Sequence, residues 1–531
     1  MGIYLDPGNK GFQEILQSEY VDKTGLIALI NRTVGTMEKL TCISRPRRFG
    51  KSYAAKMLCA YYDCSCDSHA LFDDKEIART QGYLTHLNQY HVINLDITGF
   101  ISDAAEMDLP FSKVPNMIAD AVYKELAESY PELEGKSLKD AMIGYVEKSG
   151  RKFVFIIDEW DAMIREAKQD AAVQRKYLNF LRGWFKNSSF TPKAVAAALL
   201  TGILPIKKDG SQSAISDFIE YPILDPDGFA AFTGFTEAEV KRLCEEHGVS
   251  FEDARRWYDG YDFPDIGAIY NPYSVMLAIR KRKFDSYWQK TSTAESLMTY
   301  INMDFEGMQE IISRLISGEE IEIDTECFEN DFESFKSRDD VLTLLIHLGY
   351  LTWNGEERTA RIPNEEVRAE FKKIIKGRNV NRKWMELIGR SQKLLEDTIA
   401  GNGTAVANAI EEIRDTQYAP TYYNDEQALR YVIKFAYIAA VDQYLKVEEL
   451  PSGRGIADVV YLPKRKSMLP ALVVELKWNK TSEGANNCSA IRQIKERHYP
   501  AVLRDYDGEV IIVGISYDAK KKEHSCVIER V

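Results

Sequence analysis

The 531-residue chain contains no apolar run approaching the roughly 20 residues that a membrane-spanning helix needs. Residues 1–10 show no charged region followed by an apolar stretch, so no signal peptide is expected. Low-complexity tracts and short internal repeats are absent as well. Cysteine is sparse: eight residues in this length do not make a disulfide scaffold. Cys59, Cys64, Cys66 and His69 cluster, but the paired CxxC spacing of a zinc site is missing, and reduced thiols of a cytoplasmic protein are the expectation. Positive charge is short too, with 68 Lys and Arg against 81 Asp and Glu, for a net charge of −13. That balance argues against indiscriminate binding to nucleic acid and leaves room only for a local basic channel. What remains is a multidomain globular enzyme, whose length predicts roughly three or four domains.

The most specific chemistry lies in Ser44-Arg45-Pro46-Arg47-Arg48-Phe49-Gly50-Lys51-Ser52. An apolar run with strand character (Leu40 to Ile43) precedes it and a helical pattern (Tyr53 to Tyr62) follows. Gly-Lys-Ser at such a turn ends a phosphate-binding loop: backbone N–H groups cradle phosphates, the Lys reaches the terminal ones, and the Ser hydroxyl holds Mg²⁺. The candidate ATP contacts are therefore Arg47, Arg48, Phe49, Gly50, Lys51, Ser52 and Tyr53. One irregularity stands out, since Arg45 occupies the place of the pattern's first Gly. A second element supports the loop. Lys152 to Ile157 reads as a buried parallel strand ending in Asp158-Glu159. Asp158 there can hold the Mg²⁺ shell, and Glu159 can activate the attacking water. Val92 to Ile97 and Ala194 to Ile203 read as further strands, and Pro115 to Tyr130 as a helix. Alternating strands and helices imply an α/β fold with a parallel sheet whose ligands bind at the carboxyl ends of the strands. Thr201, at such an end, is a candidate γ-phosphate sensor or simply a capping Thr.

These motifs, with Tyr20-Val21-Asp22-Lys23-Thr24, Asp158-Glu159-Trp160-Asp161 and Leu200-Thr201-Gly202, resemble the AAA-ATPase-like family of bacterial and archaeal proteins. Trp257-Tyr258-Asp259-Gly260-Tyr261, Asn271-Pro272-Tyr273-Ser274 and Tyr287-Trp288 extend the resemblance over roughly residues 1 to 290. The family's own loop reads RPRRFGKS, so the resemblance makes Arg45 no defect. It also implies a place near the nucleotide for Asp22-Lys23-Thr24, for which a helix cap is the simpler account. Two departures occur: Ala162-Met163 replaces the usual Pro, and Leu204-Pro205-Ile206 stands where a basic residue is common, which removes an arginine-type contact from that loop.

A second constellation lies near the other end. Ile456 to Leu462 and Ala471 to Trp478 read as strands of a hairpin joined by a basic turn, Pro463 to Ser467. Glu475 and Lys477, two residues apart, project from one strand face, and Asp458 can lie beside them on the neighbouring strand. Asp458 and Glu475 make a hard oxygen site for Mg²⁺ or Mn²⁺, with Lys477 placed to orient a water or steady charge. A helix opening at Ala490 and a last buried strand, Val510 to Ile515, follow. In this order the elements resemble the PD-(D/E)XK nuclease superfamily over roughly residues 400 to 525. That resemblance implies a restriction-endonuclease-like α/β domain, a substrate or metal contact for Gln493, and an extra acid for which Glu426 is the candidate.

Between these regions, Phe235 to Tyr258 carries a helix of a lid-like subdomain. Asp340 to Gly349 reads as an amphipathic helix, Tyr350 to Trp353 and Thr359 to Ile362 as two short strands, and Glu366 to Lys376 as a helix. The outline is winged-helix-like, and because the stretch is not strongly basic a packing role is favoured over nucleic-acid contact. The expected domains are an ATPase core (1–225), a helical subdomain (226–300), a winged-helix-like connector (301–395) and a nuclease-like domain (396–531). The function expected is ATP binding and hydrolysis coupled to metal-dependent cleavage of nucleic acid, DNA before RNA, by a cytoplasmic protein without membrane association that can act as a homo-oligomer. The alternative is an ATP-controlled switch whose last domain binds a partner.

Overall fold

The computed structural model describes all residues apart from 1, 168–169, 207, 210–211, 214, 216, 264–265, 289–307, 327, 329–334, 336, 376–381, 418–428, 430–431, 434–435, 438–439, 453–454, 464–468, 480–505 and 507. The chain divides into two compact units, Met1–Gln289 with Glu322–Ala369, and Lys290–Ile321 with Glu370–Val531.

The first unit is built on a five-stranded, wholly parallel sheet. Its strands are β1 (Leu40–Ser44), β2 (His91–Asp96), β3 (Phe153–Asp158), β4 (Val195–Gly202) and a short edge strand, Ile219–Tyr221, in the order β2-β3-β4-β1-edge. Every residue of β1, β3 and β4 is buried, as the unbroken apolar runs require of strands covered on both faces. One core forms on each side: Phe153, Phe155 and Ile157 pack with the helices Val114–Ser129 and Ala171–Phe185, while Val154 and Ile156 pack against the helix Lys51–Tyr62. β4 lies between the strand feeding the phosphate loop and the acid-bearing strand, with Ser44 opposite Gly202 and Ile157 opposite Leu200. This register gathers the carboxyl ends of all four long strands into one crevice.

Beyond the sheet, Phe235 to Tyr258 forms two helices, Glu237–His247 and Phe251–Tyr258, where one was expected. Gly248 ends the first at φ +62°, a left-handed conformation that stops a helix. The helix Arg338–His347 is buried on every side from Asp340 onward, so its pattern is that of a core helix rather than an amphipathic one. The short strands Thr352–Asn354 and Thr359–Arg361 pair antiparallel, and the helix Glu365–Ile375 follows. This segment packs onto the lid. Asn364 Nδ2 donates to Asp259 O (2.7 Å), Tyr261 Oη to Gly349 O (2.6 Å), and Ser274 Oγ to Glu366 (2.8 Å). Those bonds favour the packing role.

The second unit holds another five-stranded sheet, Tyr444–Ser452, Gly455–Pro463, Ala471–Asn479, Val510–Asp518 and Glu523–Arg530, in that spatial order. Only Ala471–Asn479 and Val510–Asp518 run parallel. The first of the five was not anticipated, and Val510–Asp518 is not the last: Glu523–Arg530 follows as a half-exposed edge. Its mixed polar sequence conceals the period-2 signal of a strand.

Candidate functional site

The phosphate loop joins β1 to the helix Lys51–Tyr62. Gly50, the residue before that helix, has φ +83°, which only Gly adopts at little cost. Arg48 is held at φ +73° with its guanidinium 4.0 Å from the Tyr273 ring centroid. Phe49 is buried and meets Tyr261 edge-on at 5.2 Å, so its side chain anchors the loop to the lid and only its backbone faces a ligand. Lys51 is 5% exposed; its ammonium donates to the carbonyls of Arg45 and Pro46 (both 3.0 Å) and lies 3.8 Å from Glu159.

Arg45 turns out to be structural. Its side chain is fully buried, with Nε donating to Thr233 (2.9 Å) and Nη1 to the carbonyls of Ser44 (2.8 Å) and Tyr221 (2.7 Å). It thus ties the end of β1 to the edge strand and to the segment entering the lid. Burial lowers its pKa to about 9.

The acids sit where β3 ends. Asp158 accepts from Ser52 Oγ on one oxygen and Thr201 Oγ1 on the other, both at 2.5 Å. Glu159 has φ +51° and accepts from Arg165 Nη2 at 2.5 Å. Burial is the main influence raising the Glu159 pKa. The charges of Lys51 and Arg165 oppose the rise, and those of Asp161 and Asp158 add to it. Burial also raises Asp96, with the Asp158 charge adding. Asp161 is fully buried, accepts from the backbone of Ile203 (3.2 Å) and Leu204 (3.0 Å), and bonds Arg165 Nε (3.0 Å). A Cβ on Gly202 would stand 2.7 Å from Asp161 Oδ1, which explains the Gly after Thr201. Burial works against the charge on Arg165, but Asp161 and Glu159 outweigh it and raise its pKa.

A cavity of about 930 Å³ opens over these groups. Its lining joins polar residues, Ser52, Asp96, Asp158, Glu159 and Arg165, with apolar and aromatic ones, Tyr20, Val21, Phe235, Tyr273 and Leu277. Polar and apolar lining together suit a nucleotide's phosphates and base. Arg47, Tyr53 and Arg280 also line it. Arg165 was missed in the sequence, and Arg280 stood out there only as the start of the basic run Arg280-Lys281-Arg282-Lys283, a candidate for nucleic-acid contact; both bring guanidinium groups to the cavity, which the Leu204-Pro205-Ile206 loop does not supply. Lys23 lines it too and pairs with Glu239 at 2.6 Å, while Asp22 accepts from the backbone and hydroxyl of Thr24. Ser52 and Asp158 present hard oxygen donors side by side, a fit for Mg²⁺.

In the second unit, Glu475 is 4% exposed, and the Lys477 ammonium lies 3.9 Å from it on the same strand. Asp458 lies in the adjacent strand, whose register pairs Val459 with Val474. Gln493, Glu426 and the turn Lys464 to Lys466 lie outside the described residues.

Sheet, loop and acids together define a P-loop NTPase domain. Residues 8–211 match the family described as "AAA-ATPase_like: Predicted AAA-ATPase". A protein of Azotobacter chroococcum mcd 1, described as "Uncharacterized protein in vnfD 5'region", is 22% identical over 539 aligned residues, which span 97% of this chain and 96% of that protein. Among solved structures, the Aeropyrum pernix ORC2 protein (ADPNP-ADP complexes) aligns with 68% of this chain and 96% of its own at 12% identity, with a TM-score of 0.34. No helix among the described residues is long and apolar enough to cross a membrane.

Proposed function

We propose that the chain binds and hydrolyses ATP in the first unit and uses the cycle to control metal-dependent phosphodiester hydrolysis by the second. The observation that carries the ATPase part is the set of contacts around Asp158: a loop Ser and a strand-end Thr bonded to it and a neighbouring Glu held by Arg165, with Ser52, Asp158, Glu159 and Arg165 lining one cavity. The phosphate loop's N–H groups and Lys51 would bind the phosphates. Ser52 and Asp158 would hold Mg²⁺, which when bound neutralises charge on the terminal phosphates. Glu159 would accept the proton of the attacking water. Arg165 holds that carboxylate in place, and Arg280 would meet phosphate charge from the lid.

The nuclease part rests on less. Its support is the pair Glu475 and Lys477 on one strand face, with Asp458 in the neighbouring strand at the parity of Val460. Asp458 and Glu475 would hold Mg²⁺ or Mn²⁺, Lys477 would steady the attacking water, and Gln493 would touch metal or substrate. The deciding experiment is cleavage of duplex, single-stranded and supercoiled DNA and of RNA, with either ion, with and without ATP. Cleavage by wild type that is lost in Lys477→Ala is the expected result. Intact substrates throughout, in protein that hydrolyses ATP, would sink the nuclease reading and leave an ATP-controlled switch.

A further inference from the structure

Across the sheet from the phosphate crevice, at the amino-terminal end of β2, three side chains from distant parts of the chain converge. Asp6 comes from the N-terminal segment, Cys64 from the turn after the helix Lys51–Tyr62, and His91 from the first position of β2. Their donor atoms all lie within 4.8 Å of one another. His91 Nδ1 is 2.8 Å from Asp6 Oδ2 and 3.4 Å from Cys64 Sγ. We propose that these residues form a transition-metal site, and that Zn²⁺ is the ion its donors fit.

The backbone builds the site before any ion arrives. Asp6 N donates to Val92 O and Asp6 Oδ1 accepts from Val92 N, both at 2.8 Å, so the carboxylate has a second oxygen left over. Cys64 N donates to Tyr90 O at 2.8 Å, which sets the thiol beside the strand. Gly8 N donates to Asp63 (2.6 Å), locking the N-terminal segment to the same turn. Asp6 holds φ +51°, a conformation that costs an Asp some strain and is kept where the surroundings fix it.

Chemistry then selects among uses. A nucleophilic triad needs thiol and carboxylate on opposite ring nitrogens of the His. Here both face Nδ1, so a proton relay between them is not what the geometry serves. One thiolate, one imidazole nitrogen and one carboxylate oxygen are a donor set of zinc proteins. Tetrahedral Zn²⁺ with bonds of about 2.0–2.3 Å separates its donors by about 3.3–3.6 Å. The sulfur–nitrogen distance already matches, and the nitrogen–oxygen distance of 2.8 Å would open by about half an ångström on binding. Cys66 Sγ is engaged with Asp63 O (3.6 Å) and Ser68 Oγ (3.5 Å), which leaves the fourth position to solvent. The ring of His91 stands perpendicular to Tyr145 at 4.8 Å, fixing its orientation. Sequence spacing pointed elsewhere: Cys59 is buried in its helix, and His69 is exposed and bonded to Asp67. Such an ion would clamp the N-terminal segment and edge strand β2 to the far end of the helix that begins at Lys51.

The test uses the full chain, reduced and stripped by a chelator, then titrated with Co²⁺ as a spectroscopic probe. The expected result is a thiolate-to-cobalt charge-transfer band with tetrahedral visible bands, displaced by Zn²⁺, and lost in Cys64→Ser. Alkylation mapped by mass spectrometry on wild type keeps the test independent of whether that variant folds: Zn²⁺ should protect Cys64 from iodoacetamide. No thiolate–cobalt band in wild type, a band that persists in a folded Cys64→Ser, or alkylation of Cys64 unaffected by Zn²⁺ would each overturn the proposal.

Discussion

Asp158 and Glu159 end a strand, whereas Glu475 sits inside one, and the two positions gather partners differently. At the end of β3 the neighbouring strand ends and the phosphate loop converge, so Lys51 and Ser52, Thr201, and Arg165 reach the two acids from three separate segments. Within the strand Ala471–Asn479, alternation places Lys477 on the face of Glu475, 3.9 Å from its carboxylate. A strand end therefore makes a site by topology, and a mid-strand acid makes one only with the strands and helices laid across it. The first arrangement brings two cations, Lys51 and Arg165, to the Glu159 carboxylate within the crevice. Mutations should expose this difference.

Lys51→Ala should produce the largest effect. It removes a buried ammonium that in the proposed site would meet the terminal phosphates, a charge-assisted contact worth about 1.5–3 kcal/mol in binding. ATP affinity should fall by about tenfold or more and turnover should vanish, as measured by calorimetry and phosphate release. Lys477→Ala should leave both unchanged. If it weakened ATP binding, the two sites would not be chemically separate and the comparison would break.

Glu159→Gln comes next. Loss of a general base costs about 10²–10⁴ in rate, while ATP binding should persist because Lys51 and Ser52 remain. Burial raises the Glu159 pKa, so its base form is lost at higher pH than for an ordinary Glu near 4.3. The acid limb of the wild-type kcat profile should accordingly lie above that value. A limb at or below the ordinary Glu range would remove Glu159 as the base.

How much of this could be read from the chain depends on where each group's signal lies. β1, β3 and β4 were legible because a strand buried on both faces is an apolar run, and β2 because Val92, Ile93 and Leu95 keep most of one. Lys51, Ser52 and Asp158-Glu159 were legible because strand-to-turn chemistry is local. Arg165 was not, being one basic residue on a helix, and Arg280 showed only as the first of a basic run; nothing in the spacing separates a cavity-facing Arg from a solvated one. Arg45 was an irregularity that the family resemblance accommodated without giving it a role; its partners Tyr221 and Thr233 lie about 180 residues away. His91 and Asp6 escaped for the same reason, since the cysteines nearby in sequence drew attention to His69. In the second unit, Glu475 and Lys477 followed from alternation, but the strand Tyr444–Ser452 did not, because its Lys, Glu and Pro residues hide the period.

A third prediction separates the units by acid stability. His347, in the first unit, is fully buried, stacks on Phe328 at 5.3 Å, and has its pKa pushed by burial down to about 3. The unfolded chain takes up this proton near pH 6.5 and the folded one does not. Stability is therefore intact above about pH 6.5 and falls as pH drops toward 3, by about 2 kcal/mol at pH 5. His347→Gln should flatten this fall in scanning calorimetry. An unchanged acid slope in the variant would show that other groups govern it.

The smallest effect expected is at Tyr273. Its ring lies under the Arg48 guanidinium, in a loop position where Arg adopts a left-handed φ. Tyr273 is 36% exposed, so the cation–π contact is worth about 0.5–1 kcal/mol. Tyr273→Ala should weaken ATP binding by about two- to fivefold, and Tyr273→Phe, which keeps the ring face, should restore it. Because Tyr273 stands on the first turn of the lid helix that also carries Arg280, the loss measures how far the lid shapes the phosphate loop. Equal affinity in wild type and Tyr273→Ala would mean that the loop holds its conformation without the lid, through Gly50 and the bonds of Arg45 alone.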